Sequence, residues 1–354
     1  MRRPADDSDT LGGASMTGAR RAETIFEVGG GGPAGARADA PAADAAESAV
    51  AAPASSLLLW VNGREVDPAA PHLSPLDRGF TLADGLFETM RAHDGAIFRL
   101  RAHLDRLRAG ASALRIPLPD DLDATIAAAL RRAAEAGHHD AAVRLTVSRG
   151  AGAHGVAQPE EPRPTIVLAV QPAPGFPRAI YAAGIAVAIA SGRRNEHAMT
   201  AGLKTLAYTD MVMAMAEARA RGAEDALFLD TEGHLSEGSS SNLFLVLGKA
   251  LATPPLSCGA LPGITRAAVL ECARDLGLRV TERALVRREL RAAKEAFLTS
   301  SLRGIAPVTR VVGDIGEGYA VGDGVPGPVT RALMDAYAAL VRRECPPRGS
   351  GAAT

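Results

Sequence analysis

Apolar residues along this chain alternate, recur every three to four positions, or are sparse, and these patterns mark out its parts. From residue 1 to about 56 large ones are sparse. That segment is rich in Ala, Gly, Ser and Asp, carries a glycine run at 29–32 before Pro33, and gathers bulk only at Ile25, Phe26 and Val28. Such a stretch cannot bury enough surface to offset the entropy of ordering it. It reads as a disordered extension, or as residues upstream of a true start at Met16. The glycine run is no phosphate loop, because no Gly-Lys-Ser/Thr follows it.

Order begins at Leu57. Leu57-Leu58-Leu59-Trp60-Val61 reads as a strand, and Asn62-Gly63 as a tight hairpin turn. The stretch 85–91 reads as another strand, with a turn at Asp94-Gly95. Leu100, Leu104, Leu107, Ala111 and Leu114 recur at helical spacing and predict an amphipathic helix over about 101–115. A second helix is expected over about 121–136, ending at Gly137, then strands at 142–148 and 165–170. Strands and helices without strict alternation make 57–170 a small α+β domain. Gln171-Pro172-Ala173-Pro174-Gly175-Phe176-Pro177 is the best linker in the chain. Beyond it the pattern predicts a strand at 185–190, a helix around 206–221, and a hairpin of 226–229 with 243–247. A helix at 265–276, strands near 279–283 and 296–299, and a last helix at 328–342 follow. These make a larger domain over 178–345, with a disordered tail at 346–354. No internal repeat is visible.

Composition narrows the function. The apolar fraction of 47% suffices for a core, and the formal net charge of −1 offers neither nucleic acid nor a membrane surface a partner face. A small-molecule partner is expected instead. Cys258, Cys272 and Cys345 are odd in number and lack the spacing of a metal knuckle or redox pair, which points to a reducing compartment. There is no run of about 18 apolar residues and no secretory leader, so a cytoplasmic chain is expected. His138, His139 and Asp140 follow Gly137 at a helix end and read as a solvated turn; no metal site is expected.

Four segments carry chemistry. The first is Asp77-Arg78-Gly79-Phe80-Thr81-Leu82-Ala83-Asp84-Gly85-Leu86-Phe87-Glu88-Thr89, followed by His103-Leu104-Asp105-Arg106-Leu107. The second is Gly202-Leu203-Lys204-Thr205-Leu206. The third is Leu235-Ser236-Glu237-Gly238-Ser239-Ser240-Ser241-Asn242-Leu243-Phe244. The fourth is Leu261-Pro262-Gly263-Ile264-Thr265-Arg266, with Leu298-Thr299-Ser300-Ser301 after it. In order and spacing they resemble the fold-type IV enzymes of pyridoxal 5'-phosphate (PLP): branched-chain and D-amino-acid aminotransferases and 4-amino-4-deoxychorismate lyases. The resemblance runs from about 57 to 345. It implies a two-domain, mixed α+β and α/β architecture like that of D-amino-acid aminotransferase. It also implies PLP as cofactor, and a homodimer with the active site near the interface.

The resemblance assigns roles that the residue chemistry supports. PLP needs a lysine for its imine, and Lys204 has only Lys249 and Lys294, both in polar surroundings, as rivals. Its freed amine is the natural group to move a proton between substrate and cofactor. Glu237 is the partner of the pyridine nitrogen, keeping it protonated. Arg106 is the phosphate arginine. Leu261, Gly263, Ile264 and Thr265 open a helix whose N-terminus suits phosphate, and Ser300 and Ser301 add donors. Tyr208 matches a tyrosine that faces the cofactor's phenolic oxygen in branched-chain enzymes, although those enzymes have one more residue in the stretch.

The substrate side departs from every subgroup. Phe87 stands where D-amino-acid enzymes place a carboxylate-binding tyrosine. His154, in Ser148-Arg149-Gly150-Ala151-Gly152-Ala153-His154, stands where they and the lyases place an arginine. Phe87, Arg149 and His154 are the substrate candidates, and Arg193 and Arg194 form a further cationic pair before Lys204. Three functions follow: a transaminase moving an amino group between an amino acid and a 2-oxo acid, an aminodeoxychorismate lyase, and a non-catalytic PLP-binding protein.

Overall fold

The computed structural model describes residues 56–313 and 318–346. The extension expected over 1–56 falls outside the described residues except for Ser56, and the tail expected at 346–354 falls outside them except for Pro346.

The first half builds one antiparallel sheet. Its strands are β1 (Leu58–Val61), β2 (Arg64–Val66), β3 (Gly85–His93), β4 (Ala96–Ile97), β5 (Asp140–Ser148) and β6 (Thr165–Pro172), in the order β2-β1-β6-β5-β3-β4. Asn62 and Gly63, at φ 49° and 78°, make the left-handed turn between β1 and β2. Three helices accompany it: α1 (Arg78–Leu82), α2 (Leu100–Leu114) and α3 (Leu122–Glu135). Along β3 the side chains alternate. Leu86, Glu88 and Met90 face α2, while Phe87 and Thr89 face the other way. The heptad-like leucines of α2 pack there with Ile126 and Leu130 of α3 and Val143, Leu145 and Val147 of β5. The connection expected at 171–177 begins two residues late, because Gln171 and Pro172 complete β6 opposite Ala142 and Ala141.

After the short α4 (Ala179–Ala182), the second half builds β7 (Ile185–Arg193), α5 (Thr209–Ala220), β8 (Asp225–Leu229), β9 (Leu235–Gly238), β10 (Asn242–Leu247) and β11 (Ala250–Thr253). It continues with α6 (Ile264–Asp275), β12 (Arg279–Glu282), α7 (Arg287–Ala292), β13 (Glu295–Ser300), β14 (Gly304–Val312), β15 (Tyr319–Ala320) and α8 (Pro328–Glu344). The strand order is β12-β11-β10-β13-β14-β7-β8-β9, with β15 on β14. One further pairing, Asn242 opposite Glu237, joins β9 back to β10 and closes six strands into a barrel-like ring.

Both faces of β7 and β8 are covered, which is why they read as unbroken apolar runs. Ile185, Val187, Ile189, Leu227 and Leu229 point into the ring. Ala186, Ala188, Ala190, Ala226 and Phe228 point at α5, and the small alanines let the helix sit close. Helices α6 and α8 pack on β10, β13 and β14 through Phe244, Phe297, Val269 and Leu333.

The sequence pattern misplaces one pairing. The hairpin expected between 226–229 and 243–247 does not form, because β9 lies between β8 and β10 and pairs with both. Its one interior apolar residue, Leu235, is too little to announce a strand. Strand β14 also escapes the pattern: Pro307 sits mid-strand, where the missing N–H normally argues against pairing.

Candidate active site

Strands β3 and β5 from the first sheet meet the ring's closing strands, the N-terminus of α6 and the loop after β13 around one cavity of about 440 Å³. Lys204 is at its wall. The segment carrying it is pinned to β3 by backbone bonds, Phe87 N–H to Lys204 O at 3.0 Å and Leu206 N–H to Gly85 O at 3.0 Å. Gly85 makes this approach possible, since a Cβ there would collide with Val147 O and the Leu206 side chain. Lys204 Nζ donates to Tyr208 Oη at 3.0 Å and lies 4.3 Å from the Phe87 ring centre. Burial, with help from the nearby Arg106 charge, pulls the amine down to about 8. The same burial pushes the Tyr208 phenol up to about 12, so it stays protonated at neutral pH. Tyr208 also caps α5, which begins at Thr209 and not at 206.

Glu237 reaches the cavity from the ring's closing pair. Its carboxylate accepts from Leu261 N–H at 2.8 Å and pairs with Arg194 Nε at 3.1 Å. Burial raises its pKa, opposed by Arg194, the Leu261 amide and Lys204. Asn242, its cross-strand neighbour, donates to Leu261 O at 2.9 Å. Gly263 allows this packing: any Cβ there would run into the Asn242 amide oxygen. Helix α6 starts at Ile264 with Gly263 as its cap residue and no side-chain cap, so its first N–H groups have no intrahelical partner, and Gly263, Ile264 and Thr265 line the cavity. Ser300 and Ser301 line the same end.

Arg106 arrives from α2. Glu88, fully buried on the α2 side of β3, accepts from Arg106 Nε at 2.8 Å and Nη2 at 2.6 Å and meets His103 Nδ1 at 2.8 Å. Burial works to raise the Glu88 pKa, but hydrogen bonds from His103 and Arg106 hold it below the usual carboxylate range. Arg106 Nη1 donates to Pro262 O at 2.8 Å, which ties α2 to the α6 loop. Of the five guanidinium N–H donors, three are thus used in positioning and two remain for a ligand.

The candidates Lys204, Tyr208, Glu237, Arg106, Leu261, Gly263, Ile264, Thr265, Ser300, Ser301 and Phe87 all line this one cavity. Two substrate candidates do not. Arg149 is 2% exposed and donates to both oxygens of Asp84 and to the carbonyls of Leu114 and Arg115. Four of its five N–H donors are thus tied to Asp84 and to the end of α2. His154 is exposed, on a loop where the carbonyls of Gly155, Val156 and Ala157 accept from Arg78. Of the loop pair, Arg194 pairs with Glu237, and Arg193 is exposed and donates to Gly192 O.

The cavity also holds side chains that the motifs do not single out: Thr89, Arg144, Phe176 and Arg303, with Ser239, Ser240 and Ser241. Arg144 lies within β5, five residues before Arg149 just past its end, an odd separation that puts the two on opposite faces. Its guanidinium lies 3.9 Å over the Phe87 ring, and no carboxylate pairs with it among the described residues. Arg303, Ser239 and Ser241 converge on buried Asp225, which accepts from Ser239 Oγ at 2.6 Å, Ser241 Oγ at 3.3 Å and Arg303 Nη2 at 3.3 Å. Face parity along β5 is the sequence signal that could have selected Arg144 over Arg149.

A partly buried lysine with a lowered pKa, a buried glutamate, and a helix start without a side-chain cap share one cavity with hydroxyls and an arginine, an arrangement of the kind an enzyme's active site uses. The model of the family Amino-transferase class IV matches residues 85–311, and the chain belongs to that family. It is 33% identical over 280 residues to a putative branched-chain-amino-acid aminotransferase of Methanocaldococcus jannaschii, covering 79% of this chain and 94% of that one. Among solved structures, the branched-chain amino acid aminotransferase of Escherichia coli matches at a TM-score of 0.73 and 30% identity, over 80% of this chain and 94% of that one. A 4-amino-4-deoxychorismate lyase from Pseudomonas aeruginosa matches at 0.66 and 35% identity, over 81% and 98%.

Proposed function

We propose that this protein is a PLP-dependent transaminase that takes apolar, branched-chain-type amino acids as donors and a 2-oxo acid as acceptor. One observation carries the reading: Lys204, Tyr208, Glu237 and the open end of α6 share a single cavity. The donor set fits PLP. The uncapped N–H groups, Ser300, Ser301 and the two spare donors of Arg106 suit a phosphate. Glu237 suits a protonated ring nitrogen, and Tyr208 a phenolic oxygen. When bound, the cofactor supplies an electron sink for the substrate carbon.

The chain's own residues do the rest. Lys204, with its amine held near 8, is unprotonated in a useful fraction at neutral pH and can both hold the cofactor and carry a proton. Arg194 and the Leu261 amide keep the Glu237 carboxylate oriented. Phe87, Phe176 and Leu302 give the substrate end an apolar lining, and Arg144 offers a cation for a carboxylate. The relatives named above as branched-chain enzymes support that donor class.

The likeness to the solved lyase supports a second reading, formation of 4-aminobenzoate and pyruvate from aminodeoxychorismate. We further infer a homodimer. Leu82 and Val156 are exposed apolar side chains that line one groove with Arg78, and family resemblance implies the state. Three free, buried cysteines fit a reducing cytoplasm, and among the described residues no helix is long and apolar enough to cross a membrane. The test is a panel of amino donors with 2-oxoglutarate and pyruvate, run beside aminodeoxychorismate. Transamination of leucine, isoleucine or valine is expected; turnover of aminodeoxychorismate alone selects the lyase.

A further inference from the structure

Outside the cavity lining, between the β8–β9 turn and the segment before α6, three different ligand types converge. Asp230 follows the end of β8, His234 precedes β9 after a turn through Gly233 at φ 88°, and Cys258 ends a single 3-10 turn, Leu256–Cys258, before α6. One carboxylate oxygen, one imidazole nitrogen and the thiol sulfur all lie within 4.8 Å of one another. Asp230 and Cys258 are 2% and 4% exposed, and His234 opens the group to solvent. Asp230 is already aligned with His234, at 3.1 Å from Nδ1 and 2.7 Å from the backbone N–H. Glu232, on the exposed turn, lies 3.6 Å from His234 Nδ1. Burial and a hydrogen bond to Asp230 push the Cys258 thiol up to about 12, so the empty site holds that proton and a cation must displace it.

We propose that Asp230, His234 and Cys258 form a binding site for a thiophilic divalent cation of the zinc type, with Glu232 or water as fourth ligand. Zinc takes sulfur, nitrogen and oxygen at about 2.0–2.3 Å, which sets its donors under about 4 Å apart. The three atoms reach that spacing by shifts on the order of 1 Å. Binding exchanges the thiol proton, released to solvent, for a metal–sulfur bond. The chain carrying Cys258 continues to Gly259, whose carbonyl Arg194 approaches at 3.4 Å, and to Leu261, whose N–H holds Glu237. A bound ion therefore ties the β8–β9 turn to the loop that orients Glu237.

The experiment uses tag-free, chelator-washed holoprotein titrated with cobalt(II) and then zinc. The account expects one equivalent of cobalt per chain, with a tetrahedral ligand-field band red of the cofactor's absorption and a thiolate charge-transfer band, both abolished by one equivalent of zinc. Cys258→Ser should remove the charge-transfer band, and both it and His234→Gln should weaken zinc on the order of 100-fold. Cys272→Ser, at a separate buried thiol, should leave binding unchanged. His234 is on an open turn, so its variant tests the site even if Cys258→Ser fails to fold. No cobalt spectrum at stoichiometric metal, or one that survives His234→Gln, overturns the proposal.

Discussion

The two walls of the cavity are built from different materials. The wall from the second sheet works through backbone amides, hydroxyls and one carboxylate: the α6 N-terminus, Ser300, Ser301 and Glu237. Those groups come from strand ends and a helix start, where geometry is set by the ring closure between Glu237 and Asn242. The wall from the first sheet works through long or aromatic side chains on strand faces, Phe87, Thr89 and Arg144, with Arg106 reaching in from behind. The difference teaches which wall does what. Backbone and hydroxyl donors make a fixed seat suited to an invariant cofactor. Strand side chains can be exchanged without moving the backbone, and so they suit the substrate.

That contrast can be broken by substitution. Glu237→Gln attacks the fixed seat. It should retain PLP yet lose kcat on the order of 10³-fold, because a neutral amide cannot keep the ring nitrogen protonated. Near-normal turnover would return Glu237 to the role of a strand residue.

A pair of arginines sharpens the comparison. Arg149→Gln should lower stability by about 3 kcal/mol in denaturant unfolding, since it strips a partner from Asp84. Burial works to raise the Asp84 carboxyl, and hydrogen bonds from Arg149 and Arg78 hold it down. Its folded enzyme should keep a normal KM. Arg144→Gln should do the opposite, leaving the unfolding midpoint unchanged and lowering kcat/KM for carboxylate substrates by about 10- to 100-fold, the worth of one charge-assisted hydrogen bond. Exchanged outcomes would mean that the strand faces are assigned the wrong way round.

The smallest effect is a shift of midpoint. On the proposed function, Lys204 would react with the cofactor aldehyde only when unprotonated, and its pKa is lowered. The rate at which PLP reconstitutes the cofactor-free protein should therefore rise with pH through a midpoint near 8, not the ordinary 10.5. A profile that shows no midpoint near 8 and climbs on toward 10.5 would show that burial does not act on this amine.

The second-sheet wall and the lysine segment were legible in the sequence because their chemistry lies in short contiguous runs: Gly202-Leu203-Lys204, Leu235-Ser236-Glu237-Gly238 and Leu261-Pro262-Gly263-Ile264-Thr265. Contiguous residues stay neighbours whatever the tertiary fold. The first-sheet wall was less legible, because its members are chosen by face parity and by burial partners far away in sequence. Arg149 and Arg144 look alike as letters. Only Asp84, 65 residues before Arg149, reveals that Arg149 is committed elsewhere. Helices α2 and α3 were readable from leucine spacing, since one face of each is buried and the other is wet. Strands β9 and β14 were not: one carries mostly polar residues into the ring closure, and the other tolerates Pro307.

The central claim is that Lys204 is the residue that holds the cofactor. Borohydride reduction of PLP-loaded protein, followed by peptide mapping, tests it directly. The account predicts a single reduced pyridoxyl adduct, on the peptide containing Lys204, and its loss in Lys204→Ala together with nearly all turnover. A reduced adduct on Lys249 or Lys294, or turnover that survives Lys204→Ala, would contradict it.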